Sequence, residues 1–329
     1  MKKGLKVVQL LLKIVFIVLL IKLTTFGWRT TKSFNVKPSA PEELTAQNMK
    51  DMVEYLAGKI GNRNYAEYAG LNRAAEYIRQ QFEQLGYSVT MMPYPLGDQV
   101  YNNIVAQDAS GKEFPETIII GAHYDSCFNP GADDNASGVA GLIELARLLK
   151  NSGLKAHLKF IAFVNEEPPF FLTENMGSRV YAKAAKQKGE KIKAAIILEM
   201  LGYYSQKKFS QRYLPLVGPF YPNRADFIAL VGNFPSGGIV KKLAAYFKAS
   251  SEFPVEYLIA PDFIPGIYWS DHWSFWKEGY PALMVTDTAY LRNPHYHRQT
   301  DLGPTLDYAR TAAMLHGLKE AIIQFANKN

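Results

Sequence analysis

Cysteine is almost absent from this chain of 329 residues, since Cys127 is the only one. A single thiol excludes an intrachain disulfide, so the fold has to be stabilised by its apolar core. The chain also lacks low-complexity stretches and repeats of the length that builds solenoids. These absences favour one ordinary folded domain over a small disulfide scaffold or a repeat array.

Basic residues are in excess, with a formal net charge of +7, but they form no run that interleaves with aromatic residues. Nucleic-acid-binding modules concentrate their lysines and arginines on one face or in one motif. We therefore predict no nucleic-acid partner. Proximity to an anionic membrane surface is the simpler explanation of the positive charge.

The N-terminal segment differs from the rest of the chain. Lys2, Lys3 and Lys6 precede a mostly apolar run over residues 7–23, and no cleavage site of small residues follows. Trp28 is typical of a membrane interface. We therefore predict that residues 1–28 are an uncleaved membrane anchor, with the rest of the chain outside the cytoplasm. Cleavage as a signal sequence, which would give a secreted or periplasmic protein, is the alternative.

The remaining chain predicts a linker and one α/β domain. Residues 29–41 are polar and contain Pro38 and Pro41, which is typical of a linker. Residues 42–329 alternate strand and helix patterns, which predicts a three-layer sandwich with a mixed, largely parallel central sheet flanked by helices. The predicted strands include residues 88–93, 103–106, 117–122, 158–164 and 194–198, and the predicted helices include residues 42–60, 71–85, 137–150, 179–188 and 306–327.

Polar residues follow three of the predicted apolar strands. His123 ends the first, Glu166 and Glu167 follow the second, and Glu199 ends the third. In open α/β sheets the ligand crevice lies at the carboxyl ends of the strands. Unpaired carboxylates are costly to bury at such a place. The pattern therefore predicts a bound cation.

The strongest local motif is His123-Tyr124-Asp125-Ser126, followed at residues 131–138 by Gly-Ala-Asp-Asp-Asn-Ala-Ser-Gly. It resembles the metal-binding core of the M28 family of zinc aminopeptidases. The resemblance covers about residues 42–329. It continues, in the order of the family, through Asn165-Glu166-Glu167-Pro168-Pro169, Leu198-Glu199-Met200 and Tyr296-His297.

The resemblance implies a site for two Zn²⁺ ions per chain. One zinc would be bound by His123 and by Glu199, which stands where the family usually has an aspartate. Imidazole and carboxylate groups are the expected ligands of catalytic zinc. The remaining implied ligands are Glu167 and His297 on the second zinc and Asp134 as the bridge, with Asp125 accepting the other ring N–H of His123.

The resemblance also implies the reaction. Glu166 would be the general base that takes a proton from the attacking water, and Tyr296 would donate a hydrogen bond to the developing oxyanion. Asp271 would support the metal site from a surrounding shell. The implied substrates are peptides, and the implied activity is that of an exopeptidase, specifically an aminopeptidase.

Neighbouring residues leave alternatives. Asp133 competes with Asp134 for the bridging position, and the alignment of the family motif selects Asp134. His295 competes with His297 in the same way. Cys127 is interpreted as a passive thiol, because nothing in the sequence indicates a Cys-His nucleophile.

Two other functions remain open. Glutaminyl cyclases of the same fold resemble this chain at the His123 motif, the glutamate pair and the final histidine, and they use one zinc for acyl transfer. Because Glu199 has one methylene more than the usual aspartate, it weakens the two-zinc interpretation and so favours the cyclase alternative. A non-catalytic binding domain would have no need of Glu166.

The aromatic residues Phe170, Phe171, Tyr203 and Tyr204 either line an apolar pocket or belong to the core, and residues 203–233 are predicted to form loops over the site.

Overall fold

A computed structural model describes residues 34–108, 114, 116–213 and 217–328. The predicted anchor, residues 1–28, lies outside the described residues, as do residues 29–33 of the predicted linker. Within the described part of the chain, no helix is long and apolar enough to cross a membrane. The chain divides into two compact units, of which the larger comprises Phe34–Tyr204 and Phe227–Asn329 and the smaller includes Ser205–Asp226.

Eight strands of the larger unit form one mixed sheet in the order β1-β2-β4-β3-β5-β8-β6-β7. The central strands β4, β3, β5 and β8 run parallel to one another, whereas β1 and β2 are added antiparallel and β6 pairs antiparallel with β8. This confirms the predicted sheet. The strands are β1 (Ser88–Leu96), β2 (Gln99–Gln107), β3 (Thr117–His123), β4 (His157–Phe163), β5 (Ile192–Glu199), β6 (Ile228–Gly232), β7 (Val255–Ile259) and β8 (Ala282–Thr286).

Seven α-helices are present in the described residues. The first begins at Ala40, because Ser39 and Glu42 form a capping box that satisfies the free N–H groups of the first turn. A π-helical segment, Glu54–Ile60, continues it to the predicted end. The helices are α1 (Ala40–Val53), α2 (Tyr68–Gln84), α3 (Gly138–Leu149), α4 (Gly177–Gln187), α5 (Gly237–Ser250), α6 (His272–Lys277) and α7 (Tyr308–Asn327).

Both faces of the sheet are buried, which explains why its central strands are almost continuously apolar. In β3 the side chains of Ile118 and Ile120 belong to the larger core cluster, which includes residues of α1, α2, α3, α5 and α7. The intervening Ile119 belongs to a smaller cluster on the other face, together with Tyr181 of α4 and Phe275 of α6. This alternation gives the three layers of the predicted sandwich.

The described residues of the smaller unit, 205–213 and 217–226, contain little regular structure. Ser205 pairs with Ala225 in an isolated antiparallel bridge. The rings of Tyr213 and Tyr221 stack with their centroids 5.8 Å apart. The prediction that residues 203–233 are loops throughout is wrong at its C-terminal end, because Ile228–Gly232 is the buried strand β6 of the larger unit.

Candidate metal centre

The carboxyl ends of the parallel strands bring the predicted residues together. His123 ends β3 and Glu199 ends the adjacent strand β5. The Nε2 atom of His123 lies 3.4 Å from Oε2 of Glu199 and 4.0 Å from Oε2 of Glu166, which follows β4. The site therefore lies at the edge of the sheet where the strand pattern predicted it.

Asp134 connects this strand-end group to His297. It belongs to the segment Ala132–Ser137, which precedes α3, and its own backbone is not helical. Its Oδ1 atom lies 3.4 Å from Nε2 of His123, and its Oδ2 atom lies 3.1 Å from Nε2 of His297. Each carboxylate oxygen thus faces a different histidine, as a bridging ligand requires.

Among the residues that the structure describes, two groups of side chains have ligand atoms within 4.8 Å of one another. The His123 cluster is His123, Asp134 and Glu199, and all three are buried. The His297 cluster is Cys127, Glu167 and His297, in which Oε2 of Glu167 lies 3.5 Å from Nε2 of His297. Tetrahedral zinc with bonds of about 2.0–2.2 Å to nitrogen and oxygen separates its ligand atoms by about 3.3–3.6 Å. The distance of 3.4 Å from His123 to both Asp134 and Glu199 fits this spacing, as does that of 3.5 Å between Glu167 and His297, and the distance of 3.1 Å between Asp134 and His297 is slightly shorter.

The electrostatics of the site also fit a cation. Within the described part of the chain, both ring nitrogens of His123 and the Oε1 atom of Glu167 are buried without a hydrogen-bond partner. Burial and the nearby Asp134 raise the pKa of Glu167 to about 7. Burial likewise raises the pKa of Glu199, and raises that of Glu166 well above its ordinary value. A divalent cation would stabilise the charged carboxylates that burial disfavours.

Asp125 supports the site through two glutamates. Its Oδ1 atom lies 3.5 Å from Nδ1 of His123, which is longer than a normal hydrogen bond. Its two oxygens accept the backbone N–H groups of Glu166, at 3.1 Å, and of Glu167, at 3.0 Å. Asp125 therefore fixes the backbone of the glutamate pair in addition to lying beside the ring that it was predicted to orient.

Ser270 and Asp271 lie in the segment that leads into α6. The hydroxyl of Ser270 donates to Oε2 of Glu199 at 2.7 Å. Asp271 is fully buried, and burial raises its pKa to about 7 although the positive charge of His123 acts to lower it. Among the residues that the structure describes, Asp271 belongs to neither cluster, which is compatible with its predicted supporting position.

The competing residues make other contacts. Asp133 accepts the backbone N–H of Gly202 at 2.8 Å and the side-chain amide of Asn293 at 2.6 Å, so its carboxylate is engaged away from the clusters. His295 pairs through Nδ1 with the hydroxyl of Thr300 at 2.9 Å. Neither residue is in a cluster of the described ligand atoms.

Sequence reasoning missed two residues that hold the bridging segment. Asp301 accepts the backbone N–H groups of Asp133 and Asp134, at 2.9 and 3.1 Å. Arg63 is fully buried, and burial lowers its pKa to about 10. Its guanidinium donates to three carbonyls of the segment between His123 and Asp134, those of Tyr124, Pro130 and Gly131. It also donates to two carbonyls that precede it in the chain, those of Leu56 and Gly61.

The aromatic residues divide between the site and the core. The ring of Tyr296 stacks on that of His297 with centroids 3.8 Å apart, and burial raises the pKa of Tyr296, which keeps its hydroxyl protonated as a donor. Phe170 contacts the half-exposed ring of Tyr65, at 5.8 Å. Tyr204 packs against Phe253 at 5.8 Å, which assigns it to the core.

Several relatives of the chain are named as aminopeptidases. The chain is 40% identical over 294 residues to the uncharacterized protein YfbL of Escherichia coli K12, and the alignment covers 86% of this chain and 90% of that protein. It is 26% identical over 285 residues to a probable leucine aminopeptidase of Arthroderma otae, and the alignment covers 81% of this chain and 68% of that protein.

Solved structures share the fold. BSAP, a zinc aminopeptidase from Bacillus subtilis, matches with a TM-score of 0.69 at 15% identity, over 86% of this chain and 96% of that one. Porphyromonas gingivalis glutaminyl cyclase matches with a TM-score of 0.61 at 18% identity, over 85% of this chain and 97% of that one. The sequence model of peptidase family M28 matches residues 103–322, which contain both clusters. The predicted resemblance is thereby confirmed, and the chain belongs to peptidase family M28.

Proposed function

We propose that this chain is a zinc-dependent aminopeptidase that hydrolyses N-terminal residues from peptides. The observation that carries the proposal is that Asp134 faces His123 with one oxygen and His297 with the other, while Glu166 lies beside His123. Leucine aminopeptidases among the relatives and zinc aminopeptidases among the structures of the same fold support this activity over other hydrolases.

Two zinc ions per chain fit the donor sets. His123, Asp134 and Glu199 would hold one, and Glu167, His297 and the second oxygen of Asp134 would hold the other. When bound, the pair would supply Lewis acidity that lowers the pKa of water and polarises the substrate carbonyl.

The acid-base work falls to Glu166. Its carboxylate is buried, close to His123 and not a member of either cluster of described ligand atoms, so it is left free to exchange protons. It takes a proton from the attacking water and passes it to the leaving amine. Its raised pKa, caused by burial and by the charges of Glu167 and Glu199, makes it a stronger acceptor for the first of these transfers. Tyr296, held by stacking on His297, donates to the developing oxyanion.

A peptide library tests the reaction. The zinc-loaded chain is incubated with peptides of varied sequence, and the products are analysed by mass spectrometry at both termini. Stepwise loss of N-terminal residues is the expected result. Loss of ammonia from peptides that begin with glutamine, without hydrolysis, would instead identify the glutaminyl-cyclase alternative, and internal cleavage would contradict exopeptidase action.

We also propose that residues 1–28 anchor the chain in a membrane with the catalytic domain outside the cytoplasm. The three lysines before the apolar run over residues 7–23 support this orientation, and Trp28 supports an interfacial end. The full chain should stay in the membrane fraction after a high-salt wash, whereas a chain without residues 1–32 should be soluble and active. A mature N-terminus beyond Trp28 would indicate cleavage.

A further inference from the structure

Cys127 lies at the metal centre. It follows Ser126 in the loop after β3, is half-buried, and is the only cysteine of the chain. Its sulfur is within 4.8 Å of ligand atoms of both Glu167 and His297. The thiol therefore lies within reach of any ion that these two side chains hold.

The loop holds this thiol between two fixed neighbours. The backbone N–H of Ser126 donates to the carbonyl of Arg63 at 2.8 Å. The side-chain amide of Gln299 donates to the carbonyl of Phe128 at 2.7 Å. Because the residues on each side of Cys127 are hydrogen-bonded to other segments, its position is defined by the fold and does not depend on a free loop.

A second observation points to a ligand at the same place. Glu167 is 4% exposed, and its Oε1 atom has no hydrogen-bond partner among the described residues, although its Oε2 atom lies near His297. A buried carboxylate oxygen without a partner is costly unless it binds a cation. The thiol and this carboxylate are in one cluster.

We propose that Cys127 is a metal ligand of the His297 cluster, so that this centre contains sulfur and the His123 centre does not. The inference rests on the proposed zinc site. On binding, the thiol loses its proton to solvent and coordinates as a thiolate. With Oδ2 of Asp134, the His297 cluster then offers four protein donors, which is typical of a closed zinc site, whereas the three donors of the His123 cluster leave a position open.

A thiolate also changes metal preference. Soft sulfur ligands favour zinc and other thiophilic ions over magnesium or manganese, which prefer oxygen. The two centres should therefore differ in selectivity, with the His297 centre rejecting manganese more strongly. Replacing sulfur by oxygen in Cys127→Ser should reduce that difference.

X-ray absorption at the zinc edge of the fully loaded chain tests the assignment. Zinc–sulfur distances of about 2.3 Å are distinguishable from bonds of about 2.0–2.2 Å to nitrogen and oxygen. We expect a sulfur shell of one sulfur per two zinc ions in the wild type and its loss in Cys127→Ser. Zinc at full occupancy without sulfur in the wild type, or a sulfur shell that persists in the variant, would overturn the proposal.

Alkylation of the wild type provides a measurement that needs no variant. Because Cys127 is the only cysteine, one added alkyl group reports it without ambiguity. Zinc should block alkylation by iodoacetamide in the folded chain, and chelation should restore it; equal rates with and without zinc would contradict ligation. Peptidase activity without a sulfur shell would refute this inference alone, and a sulfur shell without peptidase activity would refute the proposed function alone.

Discussion

The two clusters share Asp134 but are built differently. His123 and Glu199 stand at the ends of adjacent strands, and the side chain of His123 is 1% exposed. His297 stands on a loop with a positive φ of 55°, and its side chain is 33% exposed. The sheet positions one half of the centre, and loops that reach it from distant parts of the chain position the other.

The difference indicates how such a centre is kept rigid. The strand ends need little help, because the ladder of the sheet pairs His123 with Phe163 of β4 and Glu199 with Thr286 of β8. The loop that carries the bridge needs a scaffold of its own, and Arg63 and Asp301 provide it through bonds to the backbone. We therefore expect each substitution to affect mainly the cluster whose support it removes.

The largest effect should come from Glu166, which lies beside His123 and belongs to neither cluster of described ligand atoms. Glu166→Gln removes the proton acceptor, so kcat should fall by ~10²–10⁴-fold while zinc content stays the same. Glu174→Gln is the matched control, because Glu174 lies on the same loop with a side chain that is 61% exposed. Steady-state kinetics of zinc-replete protein decides, and near-normal turnover of Glu166→Gln would exclude the assigned role.

Arg63→Met should destabilise the segment that both clusters share. It removes the guanidinium that donates to five backbone carbonyls and the buried cation whose charge interacts with Asp134 and Asp301, so the free energy of unfolding should fall by about 3–5 kcal/mol. Urea denaturation measures the loss. Arg79→Met, which removes an exposed arginine of α2, is the control and should change stability little. Equal losses in the two variants would contradict the scaffold role of Arg63.

Acid should lower the stability of the folded chain through His272. Burial lowers the pKa of His272 from 6.5 to about 4, so the folded state keeps the ring neutral where the unfolded state binds a proton. Its contribution to stability is present above pH 6.5 and is lost as pH falls to about 4, by about 3 kcal/mol. The raised pKa of Asp271 acts in the opposite direction over this window.

The comparison of wild type with His272→Phe isolates this contribution. Unfolding free energies measured between pH 4 and pH 7 should converge toward those of the variant as the pH falls. A constant difference between the two proteins across the window would show that His272 does not titrate in this way.

The smallest effect should be confined to one cluster. Ser270→Ala removes the hydroxyl that donates to Glu199, and loss of such an outer partner weakens zinc binding about 10–100-fold. Competition with a chelator should show weaker retention of the zinc at His123 and an unchanged zinc at His297. Ser274→Ala, whose buried hydroxyl pairs with Ser178, is the control. Equal weakening of both ions would mean that the clusters are not independent.

The strand-end half of the centre was predictable because it follows from local patterns. An apolar run that stops at His123 or Glu199 predicts both the strand and the place of its last side chain. The order of motifs then supplied Asp134, Glu167 and His297 through resemblance.

The scaffold was not predictable in the same way. Arg63 is separated from the motif by an entire helix and two strands, and its partners are backbone carbonyls, which leave no trace in the sequence. Cys127 looked passive for a related reason, since its nearness to His297 depends on how a distant loop returns to the sheet. The strand β6 was missed because a five-residue apolar run is too short to separate from loop-borne hydrophobic residues.

Anomalous scattering at the zinc edge, from crystals of the zinc-saturated chain, tests the central claim most directly. We predict two peaks about 3.5–4 Å apart, one beside His123 and Glu199 and the other beside Glu167 and His297, with Asp134 between them. A single fully occupied peak at saturating zinc, with His123 and Glu199 uncoordinated, would contradict the two-cluster account and favour the single-zinc acyl-transfer chemistry of glutaminyl cyclases.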